Sequence, residues 1–556
     1  MMNYLTVNKE ELCSKHILLT FLKNKKDTIL PLIIVFCLPV LLYLQTLSFG
    51  FTYADDNDII INNITFLSNF RNAPQAFLKD AFLEKGIHLY RPMQTLSYMA
   101  DIRLSGGNNT WMYHLTNILL LGLIACLLFL LFRKFLVPLK LALLSTLVYC
   151  VHPLFTSSIA WIPARGDLLL TFFSLLSFLF FIEHLQKKKV IYLFLHWLTF
   201  TLALFCKETA VALPLLFIIY YFTFSSEKRF EKKYILNIVL YAVSGLCWFW
   251  LRSIAIGNFS IQNEVKLIPL ISNIQTIPES LVMFFLPFNI KQIPSFSLFK
   301  TLIGLGIIIM IVVLFFINKE RSKKEKIFCL CWFLFLLLPT LLYKTEYIDY
   351  LSHRFFIPLI GLLLFILFIL PKKWFEKENY KGSWLMIAVL IILSSVTFVK
   401  SRSYSDPMTY YNLAIWQSPD NALMYNNRGY VKFNMNDFQE AINDYTKAIE
   451  LNPNFSLAYN NRGLAYSSIG DLESAIKEFD KAITLNPNSA LAYINRGNIY
   501  CNEGNNEMGI KYYNKAIGLN ANDAGAYCNR GLAFKAKGML KEAEQDFKMY
   551  EKLKNN

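Results

Sequence analysis

The sequence contains no C-x-x-C pair. Its ten cysteines are scattered, and Cys37, Cys126, Cys150, Cys206, Cys247, Cys329 and Cys331 lie in or beside apolar runs. That spacing indicates neither a zinc site nor a disulfide framework. Acidic residues are few, 39 against 55 lysines and arginines, for a net charge of +16. The basic residues cluster in short loops between apolar runs, as membrane topology requires, which argues against a nucleic-acid partner. No small-residue cleavage site follows the first apolar run, 29–47, and the run is too long for a signal peptide. It reads as a retained anchor, with 1–28 as a cytoplasmic segment. No pair of interrupted helices stands out at mid-membrane, which disfavours a transporter.

What is present is apolar surface. Mean hydropathy is +0.38 and 55% of the residues are hydrophobic. That is too apolar for a soluble protein and too polar for spans throughout, so the chain divides in two. Runs long enough to span begin near 29, 112, 139, 167, 190, 209, 234, 299, 327, 355 and 383. The span rule gives about eleven helices over 29–400. Lysine and arginine in the loops 23–26, 133–140, 187–189, 228–233, 319–326 and 372–381 place those loops in the cytoplasm. The odd span count puts the C-terminus on the opposite face. The stretch 277–288, broken by Pro278 and Pro287, reads as re-entrant or interfacial.

Asp55 and Asp56 follow the first span directly, at the bilayer edge, where a carboxylate is costly unless solvated or paired. On the topology above, Arg91, His114, His152, Arg165, Asp167, Lys207, Glu208, Arg252, His353 and Arg354 share their face. Each has a plainer alternative. The acidic pair can solvate a loop, His114 and Asn117 can bond between helices, and His152-Pro153 can end a helix. Lys207-Glu208 can cap a hairpin, and Arg165 and Asp167 can pair locally. Their joint placement favours a charged mouth suited to a lipid-linked anionic substrate. The loop 50–111 is too long for a plain connector and is expected to fold into short helices.

Tyr-Ala-Asp-Asp at 53–56, Tyr90-Arg91-Pro92, Tyr113-His114-Leu115-Thr116-Asn117, His152-Pro153, the Arg165-Gly166-Asp167 stretch and Lys207-Glu208 carry a family likeness. In order and spacing they resemble the transmembrane and tetratricopeptide-repeat-containing O-mannosyltransferases and their prokaryotic relatives, over nearly the whole chain. The resemblance implies a GT-C glycosyltransferase fold, a large first external loop with an acidic pair, and a polyprenyl-phosphate sugar donor. Two departures stand out: His353 precedes Arg354 where the family usually has glutamate, and Gly166 stands where it has alanine. In this frame Asp55 or Asp56 deprotonates or orients the acceptor hydroxyl. Arg91, Arg165, Lys207 and Arg354 neutralise the departing lipid phosphate. His114, His152 and Glu208 orient donor or acceptor. Two adjacent carboxylates can bind a cation, but no further ligand set is evident, so metal use is left open.

After Lys400 the long apolar runs stop. Segment 401–421 reads as a junction whose Tyr411, Ala414 and Pro419 mark a half-repeat. Asn-Arg-Gly then recurs at 427, 461, 495 and 529, a period of 34 residues. This is the tetratricopeptide period, giving a four-repeat α-solenoid over 422–556. Asn427, Asn461, Asn495 and Asn529 share one position, and their amides can hold an extended peptide backbone. The alternative is that they bond neighbouring repeat helices. The expected architecture is all-α: a polytopic membrane domain followed by the solenoid. The expected function is transfer of a mannose-like hexose from a polyprenyl phosphate to a hydroxyl, with the repeats presenting a protein acceptor outside the cytoplasm. The competing reading is a non-catalytic, membrane-anchored scaffold.

Overall fold

The computed structural model describes residues 29–52, 55–83, 89–224, 234–256, 273–288, 290–292, 294–319, 321–342, 352–369 and 380–555. The described residues are helical or irregular, and no strand occurs among them. The chain divides into two compact units, Met1–Asp406 and Pro407–Asn556.

In the first unit, α1 (Ile29–Ser48) ends in a 3-10 turn. The loop that follows carries α2 (Ile64–Ser68), two single 3-10 turns and α3 (Pro92–Ser105). Proline at its first position starts α3, and Gly106, at φ 72°, ends it. These short helices pack on their own core of Ile59, Ile60, Leu67, Tyr98, Met99 and Tyr113. The membrane helices follow: α4 (Thr110–Lys134), α5 (Leu139–Cys150), the short α6 (Thr156–Ala160), α7 (Arg165–Lys187), α8 (Val190–Cys206), α9 (Leu213–Phe224) and α10 (Ile235–Ile256). Then come α11 (Thr276–Phe285), α12 (Leu298–Ile317), α13 (Lys323–Leu341), α14 (Pro358–Ile369) and α15 (Tyr380–Ser401).

An apolar helix begins at or near each expected start. Among the described residues six helices are long and apolar enough to cross a membrane, or seven if Leu139–Cys150 and Pro153–Ala160, bent by 44°, form one span. The bend falls at His152-Pro153, where proline removes a backbone donor. The remaining apolar helices fall short of the roughly 20 residues that cover a hydrocarbon core, or carry a charged first turn, as α13 does at Lys323–Lys326. The segment read as re-entrant forms α11, ten residues long, too short to cross alone. Polar bonds tie the apolar helices together. His196 on α8 bonds the Ser177 carbonyl at 2.9 Å and the Tyr241 hydroxyl at 2.6 Å, joining α7, α8 and α10.

The second unit opens with α16 (Pro407–Gln417), whose Tyr411 and Ala414 are buried. It lies within the segment 401–421 read as a junction and half-repeat. Four helix pairs follow: α17 (Ala422–Asn434) and α18 (Phe438–Leu451), α19 (Ser456–Ser468) and α20 (Leu472–Leu485), α21 (Ala490–Asn502) and α22 (Asn506–Leu519), α23 (Ala524–Ala536) and α24 (Leu540–Asn555). The glycine of each Asn-Arg-Gly lets its helix pair close. A Cβ on Gly429 would sit 2.7 Å from the Tyr445 ring. The arginine beside it laces the array. Arg428 grips Asp444 at 2.6 Å ahead and Asn412 at 2.9 Å behind. Arg462 does the same with Glu478 and Thr446, and Arg530 with Asp546 and Asn514.

Candidate active site

Five segments of the first unit bring the charged residues together: the turn after α1, the start of α3, the start of α7, the α8–α9 junction and the 3-10 turn Ser352–Phe355. Each is a helix end, where the backbone leaves the apolar layer and a polar side chain can be solvated or paired.

Asp56 is buried and anchored. The backbone N–H of Thr52 donates to its Oδ2 at 2.8 Å and the Thr52 hydroxyl at 2.5 Å. Its other oxygen, Oδ1, is buried without a hydrogen bond. Burial pushes its pKa up to about 7, the Thr52 bonds opposing and Asp55 adding. Asp55 is accessible to water yet enclosed by surrounding protein. Its pKa is pushed up to about 6 by that enclosure and by Asp58, with Arg91 pulling it back.

Arg91, just ahead of α3, reaches Glu208 at 3.9 Å, and its Nε is buried without a hydrogen bond. Glu208 stays ionised. Burial opposes the charge, but Arg91, Lys207 and Arg354 outweigh it and hold the pKa down to about 2. Lys207 is buried between α8 and the next turn, with its ammonium 2.7 and 2.8 Å from the two Asp167 oxygens. Burial lowers its pKa to about 8 against the pull of Asp167. His353 Nε2 lies 3.8 Å from Asp167 and its ring 5.5 Å from Trp161. Burial, with Lys207, Arg354 and Arg91 nearby, keeps that imidazole neutral. Arg354 completes the group: Lys207 and Glu208 both feel its charge.

Arg165 and His152 stand elsewhere in role. The Arg165 guanidinium is fully buried, with four of its five N–H groups engaged. It donates to Asn117 Oδ1 at 2.8 Å, Asp101 Oδ2 at 2.5 Å, the Tyr113 carbonyl at 2.7 Å and Ser97 at 3.2 Å. Tyr98 covers its face at 4.6 Å. With the guanidinium buried and four of its five donors committed to protein partners, the geometry favours positioning α3 and α4 against α7 over the expected contact with a phosphate. His152 accepts from the Leu154 N–H at 3.2 Å through Nδ1, so Nε2 donates to the Phe284 carbonyl at 2.9 Å. Both nitrogens serve backbone at the α5 bend, which corrects its orienting role to that of a cap. His114 is buried at the start of α4, edge-on to Phe49, and neither ring nitrogen makes a hydrogen bond. Its polar neighbour is the Gly50 backbone. Arg252, on α10, stacks on Trp248.

Sequence reasoning missed Asp101, Gln94 and Trp161. A fully buried arginine demands a carboxylate, which was the signal for Asp101. Gln94 explains Gly166. A Cβ there would meet Gln94 Oε1 at 2.6 Å, while Gln94 Nε2 holds Tyr98 and the Pro163 carbonyl, each at 2.9 Å. Gly166→Ala is therefore expected to lower stability by about 1–2 kcal/mol, overpacking outweighing the gain in helix propensity. Gly166→Ala with Gln94→Ser should recover part of the lost melting temperature. Among the described residues no group of three or more His, Cys, Asp or Glu side chains converges as metal ligands.

In the repeats, Asn461 Nδ2 donates to Asn426 at 3.0 Å, Asn495 to Asn460 at 2.9 Å and Asn529 to Asn498 at 3.0 Å. Asn427 Oδ1 accepts from Asn426. These bonds favour the alternative reading for three of the four: Asn461, Asn495 and Asn529 fasten one repeat to the previous one, while Asn427 bonds within its own repeat.

Comparison with known proteins follows this division. Residues 95–250 match the family of dolichyl-phosphate-mannose-protein mannosyltransferases. That stretch holds Asp101, Arg165, Asp167, Lys207 and Glu208, but not the acidic pair. Tetratricopeptide models match 422–455, 456–489, 478–511 and 497–538. The Drosophila melanogaster protein O-mannosyl-transferase Tmtc1 is 32% identical over 183 residues, 32% of this chain and 21% of that protein. Human TMTC2 is 35% identical over 155 residues, 26% of this chain and 18% of its own. The matches thus span about a fifth of these relatives' length. Among solved structures, MamA is 27% identical with a TM-score of 0.24, over 27% of this chain and 81% of its own. YrrB, described as a TPR protein with an unusual peptide-binding site, is 24% identical with a TM-score of 0.23, over 26% and 74%. The chain thus carries a stretch similar to the dolichyl-phosphate-mannose-protein mannosyltransferase family at 95–250, followed by matches to the tetratricopeptide repeat from 422 on.

Proposed function

We propose that this chain is a membrane glycosyltransferase that moves a mannose-like hexose from a polyprenyl-phosphate carrier to a hydroxyl on a polypeptide. The observation that carries the reading is the cationic cluster of Arg91, Lys207 and Arg354 beside a carboxylate pair of raised pKa. Asp55, water-accessible and next to Arg91, takes the acceptor proton. Asp56, fixed by Thr52, holds the turn and the local field. The acceptor oxygen attacks the anomeric carbon as its bond to the carrier phosphate breaks. The phosphate leaves with that electron pair, and Arg91 neutralises it, its Nε being a spare donor. Glu208 holds Arg91 in place, and Asp167 favours the charged form of Lys207. In this reading the mouth and the repeats lie on the extracytoplasmic face, opposite the lysine- and arginine-rich loops.

The test is transfer by purified protein in nanodiscs, from labelled polyprenyl-phosphate mannose to hydroxyl-bearing peptides, followed against pH. Label should reach peptide. The rate should rise with pH as the acidic pair ionises, between about 6 and 7, and fall near 8 as Lys207 loses its proton. Stability runs the other way on the acid side. A carboxylate with a raised folded pKa binds more protons folded than unfolded, so stability declines as pH climbs from the ordinary carboxylate range towards 7. No label in peptide, glycan or lipid at any pH contradicts the proposal.

A further inference from the structure

One residue interrupts a long buried run. From Tyr149 to Thr171 every residue is buried except Trp161, which is half-buried. It lies between α6 and the 3-10 turn Ile162–Ala164 that leads into Arg165. Its indole Nε1 is buried without a hydrogen bond, although a buried tryptophan ordinarily finds a partner for that donor. The indole stands against the ring of His353, with centroids 5.5 Å apart and planes tilted by 57°.

His353 has the same surplus. It occupies the place where the resembled family usually has glutamate. Its Nε2 stops 3.8 Å from Asp167, beyond hydrogen-bond distance, and both Asp167 oxygens are taken by Lys207. Neither imidazole nitrogen has a hydrogen-bond partner among the described residues. The mouth therefore offers two unlike sets of groups. Arg91, Lys207 and Arg354 carry charge. Trp161 and His353 are neutral and aromatic, with an indole N–H and an imidazole still free to pair. A glycosyl phosphate divides in the same way. Its phosphate is anionic. Its hexose is uncharged, with a C–H face that packs on an aromatic ring and hydroxyls that exchange hydrogen bonds with N–H groups and nitrogen lone pairs. A glutamate at 353 would only accept, whereas a neutral imidazole both donates and accepts.

We propose that Trp161 and His353 form the sugar subsite of the donor, with the indole against the pyranose face and the imidazole bonded to a hydroxyl, and that they set which hexose is accepted. The inference rests on the proposed transferase reading for the donor being a glycosyl phosphate. Its location rests on the unspent groups of these two side chains.

The test separates sugar from phosphate. Full-length protein in nanodiscs is titrated with polyprenyl-phosphate mannose, polyprenyl-phosphate glucose and polyprenyl phosphate without a sugar, in competition with a fluorescent donor. Thermal unfolding is measured alongside. Trp161→Leu and His353→Ala should each weaken the mannose donor about tenfold, the loss of one aromatic contact or hydrogen bond, and narrow its margin over the glucose donor. Both should leave the sugarless lipid unchanged, a split that a merely structural role would not produce. Trp161→Phe, which keeps a ring, and His353→Gln, which keeps a donor and an acceptor, should lose less, and they carry the test if the smaller side chains fail to fold. Arg91→Ala should weaken all three lipids alike. Equal losses for the sugar-bearing and sugarless lipids, or no loss for either, overturn the proposal. Transfer to peptide is assayed on the same samples. Sugar-dependent binding lost in the variants, with no transfer by wild type, overturns the enzyme reading and keeps the subsite. Transfer by wild type, with sugar-dependent binding untouched by the variants, does the reverse.

Discussion

Asp55→Asn is expected to slow sugar transfer by about a hundredfold to ten-thousandfold, the range for removing a positioned general base. The amide keeps the size of the carboxylate but accepts no proton. The protein should stay folded, since the carboxylate is water-accessible and its ionisation is already disfavoured by its surroundings. Asp56→Asn should act through geometry. Thr52 donates twice to Oδ2, which an amide oxygen can still accept, but the NH2 group then takes the buried place of Oδ1, which has no hydrogen-bond partner. Its rate loss should come with the loss of the acid step near pH 7, because Asp56 no longer titrates there. Transfer assays on both variants, with circular dichroism confirming helical content, decide the matter. Unchanged turnover in both removes the acidic pair from the chemistry.

Arg165→Met is expected to cost about 3–5 kcal/mol, the largest stability effect in the first unit. The substitution strands Asp101 as a buried carboxylate without its partner. It also releases Asn117, Ser97 and the Tyr113 carbonyl at once. Asp101→Asn with Arg165→Met removes both charges and should restore much of the loss, because a neutral pair is cheaper to bury than one charge alone. Thermal unfolding in nanodiscs measures both. If Arg165 instead bound the donor phosphate, Arg165→Met would lower transfer while leaving the melting temperature in place.

Element positions were legible because apolar runs and a 34-residue period leave little freedom. The site was legible in part. Asp55, Arg91, Lys207, Glu208 and Arg354 stood out because charges at membrane helix ends are expensive, and the fold gathers them. Arg165 carries the same expense, yet its partners come from α3 and α4, 64 residues away in the case of Asp101. A sequence shows the buried charge but not which helix answers it. His152 has a similar history: the proline beside it made a cap, and the backbone of α11 took its other nitrogen. In the repeats, the shared asparagine position read as a surface, whereas the neighbouring helix lies close enough to use it.

The account depends most on the donor phosphate sitting among Arg91, Lys207 and Arg354. The direct measurement is photolabelling of the chain in nanodiscs with a diazirine-bearing polyprenyl-phosphate mannose, followed by mass-spectrometric mapping. The account predicts adducts clustered around Arg91, Lys207 and the turn Ser352–Phe355, lost on competition with unlabelled donor and reduced in Arg91→Ala. Adducts confined to the exposed apolar face of α12, indifferent to competitor, would contradict it.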